Sequence, residues 1–158
     1  MRAWRYWQMS PRRRLRSVAQ RHVEWLPART MNAVCLGGGH PAPDPGCWCG
    51  FSGARDLATL KEHGLCVQPG PVVVGEVFLW GRVLDEPYGY RAQHARPAAL
   101  ALVEGTAGGP AEQAAVLAVL QAYEVDVTVV PLDYALAGTT AAMLSFQLMS
   151  SRASRGLG

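Results

Sequence analysis

Lysine is nearly missing from this chain: of fifteen lysines and arginines, only Lys61 is a lysine. With abundant Ala, Gly and Pro beside it, that skew reads as the coding bias of a GC-rich genome rather than as selection for guanidinium chemistry. Long apolar runs are also missing. No stretch approaches the roughly 18 consecutive apolar residues that a membrane span needs, and the opening MRAWRYWQMSPRRRLR lacks the apolar core of a secretory signal. Cytoplasmic residence is therefore the expectation. Nor is there a G-x-S-x-G, a phosphate-binding loop or an H-E-x-x-H, and the four histidines are scattered. No nucleophile–base–acid set can be assembled, so an enzymatic activity is not the expected one.

What remains suits a folded domain. The chain has 158 residues, 49% hydrophobic and 17% charged, enough to bury a core and too apolar for disorder. Its charge is uneven. Residues 1–30 carry eight arginines against Glu24, a balance of +7, whereas residues 31–158 carry seven basic and eleven acidic residues, a balance of −4. Such asymmetry marks an arm for nucleic acid or another anionic surface, or a solvated segment that neutralises an acidic remainder.

Periodicity outlines an α+β fold: a small mixed or antiparallel sheet with two or three helices. The aromatic run Ala3–Met9 predicts a strand, and Ser10-Pro11 before three arginines breaks it. Leu15–His22 reads as a short helix or an irregular segment, and Val23–Leu26 is apolar. Thr30–Leu36 alternates like a second strand, and Phe51–Ala54 like a brief one. Asp56–His63 is the clearest short helix, capped by Asp56 and stopped by Gly64. Val72–Leu84 is the strongest strand signal. Its Val77, Leu79 and Gly81 alternate with Phe78, Trp80 and Arg82, so one side faces a core while the other presents a Trp and an Arg. Tyr90–His94 begins the return strand of a hairpin that reaches Val103, with Pro97 at an edge or a bulge. Ala111–Tyr123 predicts a helix behind Pro110, and Val125–Leu132 a β-branched strand. Residues 1–133 form one domain in this reading, and residues 134–158 a weak helix and a disordered tail.

Four soft-metal ligands fall within fifteen residues, Cys35, His40, Cys47 and Cys49, in CLGGGHPAPDPGCWCG. That segment of Gly, Pro and small residues cannot hold a shape through its own apolar packing. A structural zinc held by Cys₃His accounts for both clustering and composition. The spacing C-x₄-H-x₆-C-x-C differs from a standard ribbon, and His63 or Cys66 are alternatives for the fourth ligand. Three buried thiols beside a surface histidine are the simpler account. No Glu lies within the cluster to serve as a general base, which favours a structural over a catalytic ion.

Trp80, Arg82, Tyr90 and Arg91 form a second constellation. If the strands that carry them pair, rings and guanidinium groups share a surface fit for an anionic ligand, extended by His94 and Arg96. The alternative is that the aromatics are core and the arginines snorkel from its rim. Glu76 is an acid/base candidate only if its strand lines a pocket; an edge salt bridge is the plainer role. Trp4, Arg5, Tyr6 and Trp7 with Arg12–Arg14 and Arg16 form a third set, read as an amphipathic edge strand and a solvated loop.

His40-Pro41-Ala42-Pro43 with Cys47-Trp48-Cys49-Gly50-Phe51, and Gly75-Glu76-Val77 running into Leu79-Trp80-Gly81-Arg82-Val83 and Gly89-Tyr90-Arg91-Ala92, resemble a family of short, uncharacterised actinobacterial proteins. The resemblance covers residues 3–103 and implies no activity; Ser52 stands where a larger residue is expected. The order of aromatic-Arg strand, loop, "CGF" strand, short helix and Val-rich strand is also similar to the start of ADP-ribosyltransferase-type folds. Those enzymes use a late acidic residue, for which no equivalent stands out. Together these features predict a zinc-stabilised, non-enzymatic module for an anionic ligand, nucleic acid or a nucleotide-bearing partner. The alternatives are a small ADP-ribosyltransferase-like enzyme and a protein–protein adaptor.

Overall fold

The computed structural model describes residues 1–64 and 70–136. Cys66 and the stretch from 137 onwards lie outside the described residues. In chain order the elements are β1 (Arg2–Met9), β2 (Leu15–Ser17), β3 (Glu24–Trp25), β4 (Met31–Asn32), β5 (Phe51–Ala54), α1 (Leu57–His63), β6 (Val72–Glu86), β7 (Gly89–Val103), α2 (Pro110–Leu120), a 3₁₀ turn (Gln121–Tyr123), β8 (Asp126–Val130) and α3 (Leu132–Ala135). The α+β class expected from periodicity is the observed one, with a mixed sheet: β8 runs parallel to β7, and the other pairings are antiparallel.

The long hairpin β6–β7 is the spine. Its two strands have fifteen residues each and pair along nearly their whole length, from Val73↔Leu102 to Glu86↔Gly89. Pro97 sits where the register slips by one residue, between Glu76↔Ala99 and Val77↔Pro97. A bulge there spares the ladder the N–H that proline lacks. β1 pairs with the outer edge of β6 and, at Trp4↔Ala54, with β5, which itself pairs with β7. The path β1–β6–β7–β5 thus returns to β1. Gly53 makes this closure possible: a Cβ there would stand 2.6 Å from that of Ala3 and 3.2 Å from Val77 Cγ1.

One side of the sheet is fully covered. Ala3, Trp7, Val73, Val77, Leu79, Leu100 and Leu102 meet Val116 and Leu120 of α2, with Trp25 and Phe51 closing the end. Trp25 stands edge-on to both Trp7 and Phe51, with centroids 5.4 and 5.1 Å apart, the geometry that ring quadrupoles favour. Arg5 lies over Trp25 at 4.6 Å and donates to Ser52 O and Ser17 Oγ. It bridges β5 and β2 where the neighbour of β1 changes from one to the other. Burial lowers its pKa to about 10, which leaves it cationic at neutral pH. Among the described residues the other side is covered in part, where Tyr6, Val72, Val74, Ala101 and Val103 pack with Leu60 of α1 and with Ala135 and Leu136 at α3.

Two sequence expectations are corrected. Leu15–His22 does not form a helix: Leu15–Ser17 pairs with Trp7–Met9 as β2, because Leu15 and Ser17 are pulled into the core beside Trp25. Thr30–Leu36 is a strand only at Met31–Asn32, since the chain leaves the sheet toward its cysteine cluster. By contrast, Asp56 caps α1 as expected, accepting from Thr59 N–H at 2.7 Å.

Tyr123 ties the 3₁₀ turn to the opposite end of the chain. Its hydroxyl donates to Trp25 O at 2.6 Å and accepts from Leu15 N–H at 2.8 Å. Burial raises its pKa, so it stays a neutral donor across physiological pH. Tyr123→Phe strands a buried N–H and a carbonyl, and is expected to cost about 1–3 kcal/mol in urea unfolding with an unchanged denaturant slope.

Candidate metal centre

Both ends of the 33–50 loop are fastened to one strand. On the entry side Met31 and Asn32 pair with Ala95 and His94 of β7, and Ala33 N–H donates to Gln93 O at 2.8 Å. On the exit side Phe51–Ala54 pairs with Gly89–Ala92. Between them the chain has no repetitive structure and buries little beyond Ala42, Pro43 and Cys49. Apolar packing therefore cannot hold it.

Two polar devices take over. The first is Arg91, which β7 aims beneath the loop. Its Nε donates to Glu86 Oε1 at 2.8 Å, and its Nη1 donates to Cys49 O at 2.8 Å, to Asp44 O at 3.2 Å and to Cys47 O. A planar guanidinium is suited to such a fork, and the Glu86 carboxylate balances its buried charge.

The second is the ligand cluster. One ligand atom from each of Cys35, His40, Cys47 and Cys49 lies within 4.8 Å of all the others, and the three cysteines are free thiols. Cys35 Sγ is 3.7 Å from Cys47 Sγ, and Cys49 Sγ is 3.5 Å from His40 Nε2. A tetrahedral ion with metal–sulfur bonds of about 2.3 Å and metal–nitrogen bonds of about 2.0–2.1 Å has edges of about 3.8 and 3.6 Å. Those atoms are thus spaced as coordination would space them, so the residues present fit a metal ion.

Local sequence explains the convergence. Asp44 accepts Gly46 N–H at 2.8 Å on its side chain and Cys47 N–H at 3.1 Å on its carbonyl, a turn that brings Cys47 back toward Cys35. A Cβ on Gly38 would stand 2.3 Å from His40 Cε1 and 3.0 Å from Cys35 Sγ, so only glycine lets the imidazole fold over its own loop. Hydrogen bonds, first from the Cys49 backbone N–H and then from Cys35, bring the Cys47 thiol down to about 7. Burial pushes Cys49 up. One thiolate is easy to form here, and three side by side require a cation.

The remaining candidates separate. His63 does not join the cluster: it stacks on Tyr88, centroids 3.8 Å apart, beside the cavity under Trp4 and Tyr6. Trp80, Arg82, Tyr90 and Arg91 are not brought together. Tyr90 and Arg91, as successive strand residues, point to opposite sides: Tyr90 lies under Arg55 at 4.7 Å, and Arg91 is buried beneath the loop. Trp80 faces His94 across the hairpin, with rings 5.7 Å apart. Along β7, His94 is about 13 Å from Tyr90. Arg82 is exposed and stands at a second register shift.

The structure assembles a different surface around Trp80. Arg2, Phe78 and Arg96 face one another across β1, β6 and β7, with Phe78 between two guanidinium groups at 5.0 and 5.2 Å. One step along the hairpin, Trp80, His94 and Asn32 form the next row, and His94 Nδ1 is 2.7 Å from Asn32 Oδ1. Arg2 and Asn32 escape sequence reading because cross-strand register is not written locally; Phe78 is legible only as a residue on the side of Trp80, without its two arginines. Glu76 has the plainer role, an ion pair with Arg2 at 3.2 Å. In the N-terminal aromatic set Tyr6 and Trp7 are core.

In comparison with known proteins, the chain matches no family model, no curated protein and no solved structure. Among the described residues no helix is long and apolar enough to cross a membrane.

Two outcomes test the centre. Purified protein is expected to carry one metal ion per chain by elemental analysis, with Cys35→Ser, Cys47→Ser or Cys49→Ser each abolishing retention. Arg91→Met unpairs Glu86 and three loop carbonyls and is expected to cost about 3–5 kcal/mol, with metal given up more readily to a competing chelator. Arg91→Lys keeps the charge without the fork and should fall between.

Proposed function

We propose that this chain is a zinc-stapled, non-enzymatic cytoplasmic module that binds single-stranded nucleic acid through the face around Trp80. Zinc is favoured because three thiolates and one imidazole make a closed, tetrahedral, redox-inert donor set. No carboxylate belongs to the cluster, so no ligand there can also serve as a general base. The ion's free energy of binding becomes folding free energy for the loop.

The observation that carries the binding reading is the part of the sheet left uncovered among the described residues. There an aromatic pair, Phe78 and Trp80, sits among Arg2, Arg96 and His94, with Arg29 and Thr30 at its border. Trp80 is 37% exposed although it belongs to a sheet whose other side is fully packed. Rings on an open sheet stack with bases, and arginines beside them neutralise phosphates. Glu76 offsets Arg2 within the face, and Glu124 and Asp126 line the groove beyond Arg29 and Arg96, giving the cationic strip an end.

The ADP-ribosyltransferase-like reading has less support. The cavity beside Tyr90 and Glu86 measures about 260 Å³, below the roughly 300 Å³ at which small-molecule pockets begin. The Glu86 carboxylate is already engaged by Arg91. Membership of the actinobacterial family is proposed on its two motifs alone.

Fluorescence anisotropy with a labelled oligonucleotide tests the binding. Association should weaken steeply with salt. Trp80→Ala should lower affinity about tenfold, within the cost of one stacked base, and Arg96→Ala should reduce the salt slope by about one. A flat titration at high protein concentration refutes the reading. A protein complex that survives high salt, without oligonucleotide binding, would establish the adaptor alternative instead.

A further inference from the structure

The ion does more than close the loop, because its ligands alternate with apolar residues. Cys35 stands between Val34 and Leu36, and Trp48 stands between Cys47 and Cys49. With the sulfurs drawn inward, the flanking side chains are turned out: Val34 is 70%, Leu36 80% and Trp48 88% exposed. Trp48 is therefore a large ring that two adjacent candidate ligands leave exposed among the described residues.

Beside these residues lies a groove of about 400 Å³, which Met31 and Phe51 help to floor and Gln20, His22 and Asn32 edge with polar groups. That volume lies within the range of small-molecule pockets. No acidic residue lines the groove. A divalent ion with three thiolates nevertheless carries a net charge of −1, which disfavours a phosphate and leaves a neutral ring as the better occupant.

The groove is also joined to the face around Trp80. Thr30 borders that face, while Asn32 both touches His94 and lines the groove. From Thr30 to Val34 the chain can span at most about 13 Å, within reach of one short strand of nucleic acid.

We propose that the metal loop provides a second base-binding position, in which a nucleobase of the same single strand that lies on Trp80 stacks on Trp48 and presents its edge to Gln20, His22 or Asn32. This rests on the nucleic-acid reading above. It assigns the zinc centre a part in recognition: the ion fixes the ring that the base meets, and its loss should cost binding as well as order.

The test uses the full-length, metal-loaded chain and oligothymidylates of two lengths, about four and about ten nucleotides, which bracket the lower range of single-strand site sizes. Trp48→Ala is expected to weaken the longer strand about tenfold while metal content and thermal unfolding stay unchanged. The shorter strand, satisfied at Trp80, should be indifferent to it, and Trp48→Phe should restore most of the loss. Equal affinities of wild type and Trp48→Ala for the longer strand, with Trp80→Ala still defective, would overturn the second position and leave the nucleic-acid reading intact. If neither strand binds the wild type, both fall. If Trp48→Ala instead abolishes a salt-resistant association between proteins and leaves oligonucleotide affinity alone, the loop is a protein interface and the proposal is wrong.

Discussion

The guanidinium of Arg91 is where sheet and loop become one structure. A loop rich in Gly and Pro has little apolar surface to bury, so its conformational entropy must be offset by polar contacts. Arg91 supplies several from a single side chain, donating to the carbonyls of Asp44, Cys47 and Cys49 while Glu86 balances its charge. Because it springs from the part of β7 that is paired on both edges, with Ser52 on one side and Leu84 on the other, the anchor is as rigid as the hairpin itself. The cluster of thiols is thereby held at coordination spacing, and a metal ion entering it has less disorder to overcome. Arginine and a bound ion would act in series: one fixes the carbonyls behind the loop, the other would fix the side chains in front.

The closed path of strands determines which surface is left over. Closure through β5 turns Ala3, Val77 and Leu79 inward and leaves room only for glycine at position 53. With α2 and the Trp7–Trp25–Phe51 stack on one side, α1 and α3 are the described helices on the other, and they reach only Tyr6, Val72, Val74, Ala101 and Val103. The strip from Arg2 to Asn32 receives no helix among the described residues. Its aromatics are not isolated; each is flanked by a cation or an imidazole, an arrangement that keeps an exposed ring soluble and also presents it to an anionic, ring-bearing ligand.

Much of this was legible in the chain, for particular reasons. β6 and β8 have β-branched composition, α2 starts at Pro110 and is rich in Ala and Leu, and α1 has a capping Asp56 and a terminating Gly64, so local signals and tertiary packing agree. The four candidate metal ligands could be named from their chemistry alone, and the fold brings them within 4.8 Å of one another. Where reading failed, contacts distant in sequence decided. Leu15–Ser17 is a strand because Trp7–Met9 lies beside it, and Thr30–Leu36 is cut short because Cys35 is needed elsewhere. Arg91 was the most misleading residue: beside Tyr90 in a strand it suggested a shared ligand surface, yet the pleat sends the two to opposite sides. The grouping of Arg2 with Phe78 and Arg96 joins residues more than seventy positions apart, and no local pattern contains it.

The alternation of ligand and apolar residue links construction to use. In an ordinary strand Val34, Leu36 and Trp48 would have been assigned to a core by type alone. Once the intervening cysteines are committed to a common centre, the backbone has one remaining direction for their neighbours, and it leads to water. Exposing a tryptophan this way forfeits about 1.5–3 kcal/mol or more of burial, a loss that a purely structural staple could have avoided with serine or glycine at the same position. With a metal bound at both adjacent residues, a ring kept at that cost would be pre-organised for contact, because little of the gain on binding would be spent on ordering it.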